Sequence, residues 1–308
     1  MAEQIVSKNK EEEALAKLDS FAELPDAPPK RKIKLTWVGK VSAGVVAFWL
    51  IMCIIGPSIA PFHEMDMDGD DSFLDAHTNE YGTFYLGTDY LGRDTLSRVI
   101  YGARNTIGIS LAATLIAYLM GITLGILAAV KGGWIDMGIS RVNDAILALP
   151  TIMLGLIVIA ALGSSIPILI GTAAVIYATS VFRIARALGQ DIMVQDFVEA
   201  AKARGEGVWW IIKSEVLPNA AMPLATDFGL RLVFVVLFIS SLSFLGLGVQ
   251  PPASDWGSMV RENLQGLTYG SYAAIWPACA IASFTIAINL IVDDISAKSG
   301  GSLAKKMV

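Results

Sequence analysis

Two cysteines and two histidines in 308 residues leave little material for redox or metal chemistry. Cys53 and Cys279 both fall inside long apolar runs and read as small buried hydrophobes rather than a disulfide or redox pair. His63 and His77 share an acidic stretch in which DMDGDD, from Asp66, partly imitates a calcium loop. Asp71 stands where such a loop needs Gly and His77 where it needs Glu, so a solvated acidic loop is expected and no metal. The chain has no G-x-x-x-x-G-K-[ST] stretch, so it is not expected to bind ATP in that way. It has no catalytic triad, no isolated carboxylate pair and no long repeat, and no nucleic-acid partner is expected. Charge is scarce too: 17% of residues are charged against 54% hydrophobic, with a mean hydropathy of +0.58. That excludes an ordinary soluble domain.

What the chain does have is long apolar blocks. Six approach the ~20 residues a helix needs to cross a bilayer: Trp37–Ile59, Ile107–Val130, Val142–Leu162, Ile166–Phe182, Ala220–Val249 and Tyr272–Val292. Lone strands leave backbone groups unsatisfied in lipid, so an all-α polytopic membrane protein with six transmembrane helices is expected. Lys30, Arg31, Lys32, Lys34 and Lys40 precede the first block, and further basic residues gather in alternate loops. By the positive-inside rule, both termini are cytoplasmic. Residues 1–35 read as a disordered cytoplasmic tail, 36–60 as a retained first helix and 61–104 as an outer loop. Residues 105–293 form the core, with a polar loop at 183–219, and 294–308 a C-terminal cytoplasmic tail.

Certain residues interrupt the apolar pattern. Ala117, Gly121 and Gly125 make a groove for a neighbouring helix, within the bundle or from a partner subunit. Pro150 should bend the third span, as a gate or, preferably, as a packing device. Asp227 and Arg231 lie one turn apart on one face of the fifth. A local ion pair is favoured there over a contact with a solute or proton.

The polar loop holds EAAKARGEGVWWIIKSEVLPN, Glu199 to Asn219. Asp196 followed by Glu199 reads as a capping box, and Gly205 as a left-handed stop after Lys202 and Arg204. The result is a two-turn helix, too short to stand alone in water. Ala200 and Ala201 keep one surface thin for close approach. Val208, Trp209, Ile212 and Val216 then recur at helical spacing, and Leu217-Pro218-Asn219 is expected to stop that helix before the next span.

This segment resembles the EAA loop of permease subunits of ABC importers, with Glu199, Ala200, Ala201, Gly205, Leu217 and Pro218 at the matching positions. Glu215 stands where relatives often carry Ile or His. LGTDYLGRDTLSRVIYGAR (Leu86–Arg104), RVNDAILALP (Arg141–Pro150) and FLGLGVQPPASDWGSMV (Phe244–Val260) are similar to the dipeptide, oligopeptide and nickel permeases of the "C" type. The final NLIVDDISA departs from their pattern after Asn289, Leu290 and Asp293.

The resemblance implies a type I ABC importer permease in the bacterial cytoplasmic membrane, importing di- or oligopeptides by alternating access and breaking no bonds itself. It further implies a second similar permease subunit, two ATPase subunits that hold ATP and Mg, and an external solute-binding protein. Glu199, Ala200, Ala201, Lys202, Gly205, Leu217 and Pro218 would couple to the ATPase; Pro150, Asp227 and Arg231 are the candidates for gate or pathway. In Leu86–Arg104, Thr88 or Asp89 and Asp94 are expected to cap helices and the arginines to pair with acids. The alternatives are an ion-driven secondary transporter with Asp227 and Arg231 in its path, or the same permease role for nickel or another small solute.

Overall fold

The computed structural model describes residues 35–67 and 71–304. The tail expected at 1–35 lies outside them but for Leu35, as do Asp68 and Asp70 of the acidic loop. Helix α1 spans Trp37–Ile59, started by Thr36, whose hydroxyl accepts from the Gly39 amide at 3.1 Å. A short antiparallel hairpin follows, β1 (His77–Thr78) on β2 (Thr83–Phe84). Then come α2 (Thr95–Lys131), α3 (Gly133–Leu147), α4 (Thr151–Leu162) and α5 (Ile166–Met193). The short α6 (Asp196–Ala203) leads into α7, continuous over Val208–Phe244. Helix α8 (Trp256–Glu262), a 3-10 turn at Leu264–Tyr269 and α9 (Ile275–Ala304) complete the chain.

Among the described residues, five helices are each long and apolar enough to cross a membrane: α1, α2, α5, α7 and α9. The expected third span falls on the pair α3 and α4, which together make a sixth candidate span, broken at Pro150 rather than gently bent. α3 and α4 meet at 87°. Pro150 has no N–H to continue the ladder and sits extended, at ψ 129°, ahead of α4. α4 has 12 residues, about 18 Å at the helical rise, well short of the ~30 Å hydrocarbon core. The fifth span also differs: it begins earlier and stops at Phe244. Gly246, at φ +86°, reverses the backbone there, so the apolar stretch to Val249 belongs to a turn. α9 runs on into the segment read as a C-terminal tail.

The groove on α2 is filled from within the chain. A Cβ on Gly121 would meet the Val181 side chain at 2.6 Å, and one on Gly125 the Phe182 carbonyl at 2.7 Å. Packing inside the bundle therefore accounts for those two glycines. Three apolar clusters result. One joins α2, α7, α8 and α9 around Trp256 and Phe284. A second joins α2, α4, α5 and α7 around Leu169, Phe238 and Leu242. The third closes the end of the bundle that carries α6. By contrast α1 buries only Gly39, Ser42 and Gly56, leaving its apolar flank for lipid or protein. The cysteines are free; Cys53 is half-buried, and Cys279 is exposed rather than buried as expected.

Candidate functional site

Eight residues make up α6. Alone they would not hold; Val198 and Ala201, three apart and so on one face, are both fully buried, and Val198 joins the cluster that includes Ala185, Ile211, Val216 and Leu224. The helix thus leans on its own bundle. Glu199, Ala200, Lys202 and Ala203 are exposed. Ala201 faces inward and Ala200 is exposed, which corrects the expectation that the two alanines share one thin surface. The expected capping box is also absent: Gln195 is the N-cap, without a side-chain cap bond, and Asp196 is already in the first turn. There the carboxylates of Asp196 and Glu199 favour the helix through its dipole instead.

The stop at Gly205 is as expected. At φ +84° it donates to the Lys202 carbonyl at 2.9 Å, while Glu206 donates to Ala201 at 3.2 Å. Both bonds belong to the left-handed C-terminal turn that glycine favours. Around this polar helix sit large exposed apolar groups: Phe197, Val194 and Trp209, the last 75% exposed.

Leu217-Pro218-Asn219 does not end the helix that starts at Val208. Residues Ile212–Val216 form a π turn, with the Leu217 amide bonded to the Ile212 carbonyl, and α7 carries on. The wider turn gives room to Pro218, which has no N–H for the carbonyl four residues back. Ile211, Ile212 and Val216 anchor this joint in the cluster that holds α6. Leu217 and Pro218 are exposed at its rim.

Two turns further along α7, Asp227 and Arg231 form the expected pair. Nε of Arg231 lies 3.2 and 3.3 Å from the two carboxylate oxygens, and Nη2 3.2 Å from Oδ1. Tyr118 of α2 also donates to Asp227 Oδ2. Nothing in the sequence flags Tyr118, which is 109 residues away along the chain. A cavity of about 510 Å³ opens beside it, lined by Tyr118, Phe228, Leu224, Leu217 and Pro218. One hollow thus touches both the π joint and a wall of the ion pair. Pro150 lies apart from this group, at the α3–α4 break.

The opposite end of the bundle is built differently. Asp89, wholly buried, accepts from Arg93 Nε at 2.8 Å and pairs with Arg98. Glu262 of α8 lies 3.3 Å from Arg98 and 3.6 Å from Arg93. Asp94 caps α2 as expected, accepting from the Ser97 amide at 2.7 Å. Asp89 and Thr88 cap no helix: the Thr88 hydroxyl accepts from Leu74 N and donates to Asp71 O, both at 2.8 Å. Asp255 caps α8 through the Gly257 and Ser258 amides at 3.2 and 3.0 Å. Burial pushes its carboxyl above the ordinary carboxylate range, against the Ser258 hydrogen bonds that pull it down. Burial also raises Asp94, opposed by its bonds from Ser97. Trp256 locks α8 to α2, its ring N–H donating to the Val99 carbonyl at 2.9 Å.

Over residues 121–297 the chain matches the family model described as binding-protein-dependent transport system inner membrane component. It is 30% identical over 259 residues to the glutathione transport system permease protein GsiD of Pectobacterium atrosepticum, covering 82% of this chain and 84% of that one. It is also 30% identical over 265 residues to the dipeptide transport system permease protein DppC of Alkalihalophilus pseudofirmus, covering 86% and 85%. Among solved structures, an inward-facing MetNI methionine ABC transporter chain superposes with a TM-score of 0.54 at 16% identity, over 65% of this chain and 95% of that one. At that identity the likeness is one of fold.

Proposed function

We propose that this chain, which belongs to the binding-protein-dependent inner membrane transport components and to the dipeptide and glutathione permease branch of ABC importers, forms one half of a pathway that imports dipeptides or glutathione. It is a multi-spanning inner membrane protein and the non-catalytic membrane subunit of its system. That family membership sets aside the ion-driven alternative. An ATPase and a solute-binding protein are its partners as a binding-protein-dependent system; in this reading there are two ATPase subunits, which hold ATP and Mg, and a second permease subunit of the same kind. The α6 end faces the cytoplasm.

The observation that carries the reading is the split face of α6: Val198 and Ala201 buried in the bundle, Glu199, Ala200 and Lys202 exposed beside Phe197 and Trp209. Exposed apolar groups rimming a charged helix mark a docking surface. An ATPase gripping the outer face would pull on the inner one. Through the π joint, that motion reaches α7 as rigid-body movement.

The test uses single cysteines in a background lacking Cys53 and Cys279. A cysteine at Lys202 is expected to crosslink to an ATPase subunit in intact membranes, whereas one at Ala201 reaches only its own chain. Failure of Lys202, Ala200 and Glu199 positions alike to reach an ATPase would overturn the coupling role.

A further inference from the structure

We infer that Arg231 reads a carboxylate of the solute as it passes, and that Asp227 and Tyr118 set how firmly it holds on. The inference rests on the reading above, since dipeptides and glutathione both carry a free carboxylate.

An ionisable side chain inside a membrane helix faces the bundle interior or a wet cavity, because lipid exposure of charge is expensive. Arg231 is not sealed in the interior: 19% of its side chain is exposed, against 10% for Asp227. The guanidinium presents Nε and Nη2 to Asp227; among the described residues Nη1 makes no hydrogen bond. It lies 5.6 Å from the ring centre of Phe234, which is itself exposed on α7. From Phe234 the uncovered face of α7 continues through Leu237, Ser241 and Phe244. Those last three line a groove of about 610 Å³ shared with Ala278, Ala282 and Ile286 of α9, and no charged residue lines it. An anionic solute following that uncharged face therefore meets one guanidinium, with one nitrogen free, where the apolar wall ends.

The pairing explains why such a contact would not become a trap. A bare arginine in a site of low dielectric would hold an anion too tightly for transport, which needs a contact strong enough to enter and weak enough to leave. Asp227 neutralises most of the charge, and Tyr118 fixes the Asp227 carboxylate in place. The remaining donor offers one releasable charge-assisted hydrogen bond.

The test is uptake by the complete complex in proteoliposomes, with binding protein saturated. The probes are dialanine against its C-terminal amide, and glutathione against the derivative with both carboxylates amidated. The wild-type complex should import the free acids faster, and Arg231→Gln should lose that preference by roughly tenfold, the worth of one charge-assisted hydrogen bond. Asp227→Asn should move the other way: a lower half-saturating concentration together with slower turnover. If Arg231→Gln does not assemble, Arg231→Lys decides, since it must keep part of the preference. An assembled Arg231→Gln with an undiminished preference for acids overturns the inference, as does an assembled Arg231→Lys with none. So does a wild-type complex that imports these solutes and ignores the amide change. A wild-type complex that imports neither solute, while its ATPase still responds to the binding protein, overturns the solute reading instead.

Discussion

At the end that carries α8, the carboxylates of Asp89, Glu262 and Asp255 are buried and each is bonded to a partner from another turn or helix. At the end that carries α6, the charges of Glu199 and Lys202 are exposed and the anchoring is apolar. The difference teaches what each end is for. Buried charge is stabilised only by well-placed partners, so a buried network tolerates little movement. Apolar contacts carry no directional demand, and a helix held by two small side chains can follow a pull without stranding a charge. In the proposed reading, the first end would hold still and the second would be moved.

The largest expected effect comes from breaking the static end. Asp89→Ala leaves Arg93 and Arg98 with only Glu262 to share, at a cost of about 3–5 kcal/mol. Loss of the protein from the membrane, read by immunoblot and by thermal unfolding in detergent, is the expected outcome; normal abundance would remove the contrast between the ends.

Gly205 sharpens it from the other side. A Cβ there meets open space, so any penalty comes from φ +84° alone. Gly205→Val should cost about 1–3 kcal/mol of local strain, leaving abundance normal while uptake and solute-stimulated ATP hydrolysis fall together. Asparagine visits the left-handed region readily, so Gly205→Asn should retain most uptake. Equal behaviour of the two variants would show that the turn conformation does not matter.

The smallest effect is a pH dependence at Asp255. Its folded carboxyl holds a proton more firmly than the unfolded one. Its stabilising contribution is therefore full below the ordinary carboxylate value of about 4 and is lost as pH climbs through and above that value. Thermal unfolding of the purified complex should fall slightly over that rise, and Asp255→Asn should flatten the slope. A slope unchanged by Asn would assign it to other groups.

Much of this was legible along the chain. Apolar blocks of bilayer length announce spanning helices because lipid leaves the backbone no other partner. The stop at Gly205 and the cap at Asp94 are local, set by one residue and its immediate neighbours, and both stand where local chemistry puts them. The Asp227–Arg231 pair is likewise one turn of a single helix. The expectation failed where distant segments compete. Pro150 and Pro218 are both prolines in apolar surroundings, yet one breaks a span by 87° and the other rides through a π turn. Composition does not separate them; the backbone around each does, with Pro150 extended ahead of α4 and Pro218 following the widened turn at Ile212–Val216.

The sequence by itself determined that this chain lives in a membrane, which apolar blocks become long helices, and that a short polar helix interrupts them. Periodicity, glycine and charge act within a few residues, and physics at that range is written in the order of the letters. Only the tertiary structure decided that Ala201 faces in and Ala200 out, that Tyr118 reaches Asp227 across 109 positions, and that Glu262 closes the network on Arg98. Those choices depend on which helices meet, and a buried side chain finds its partner by distance in space rather than along the chain.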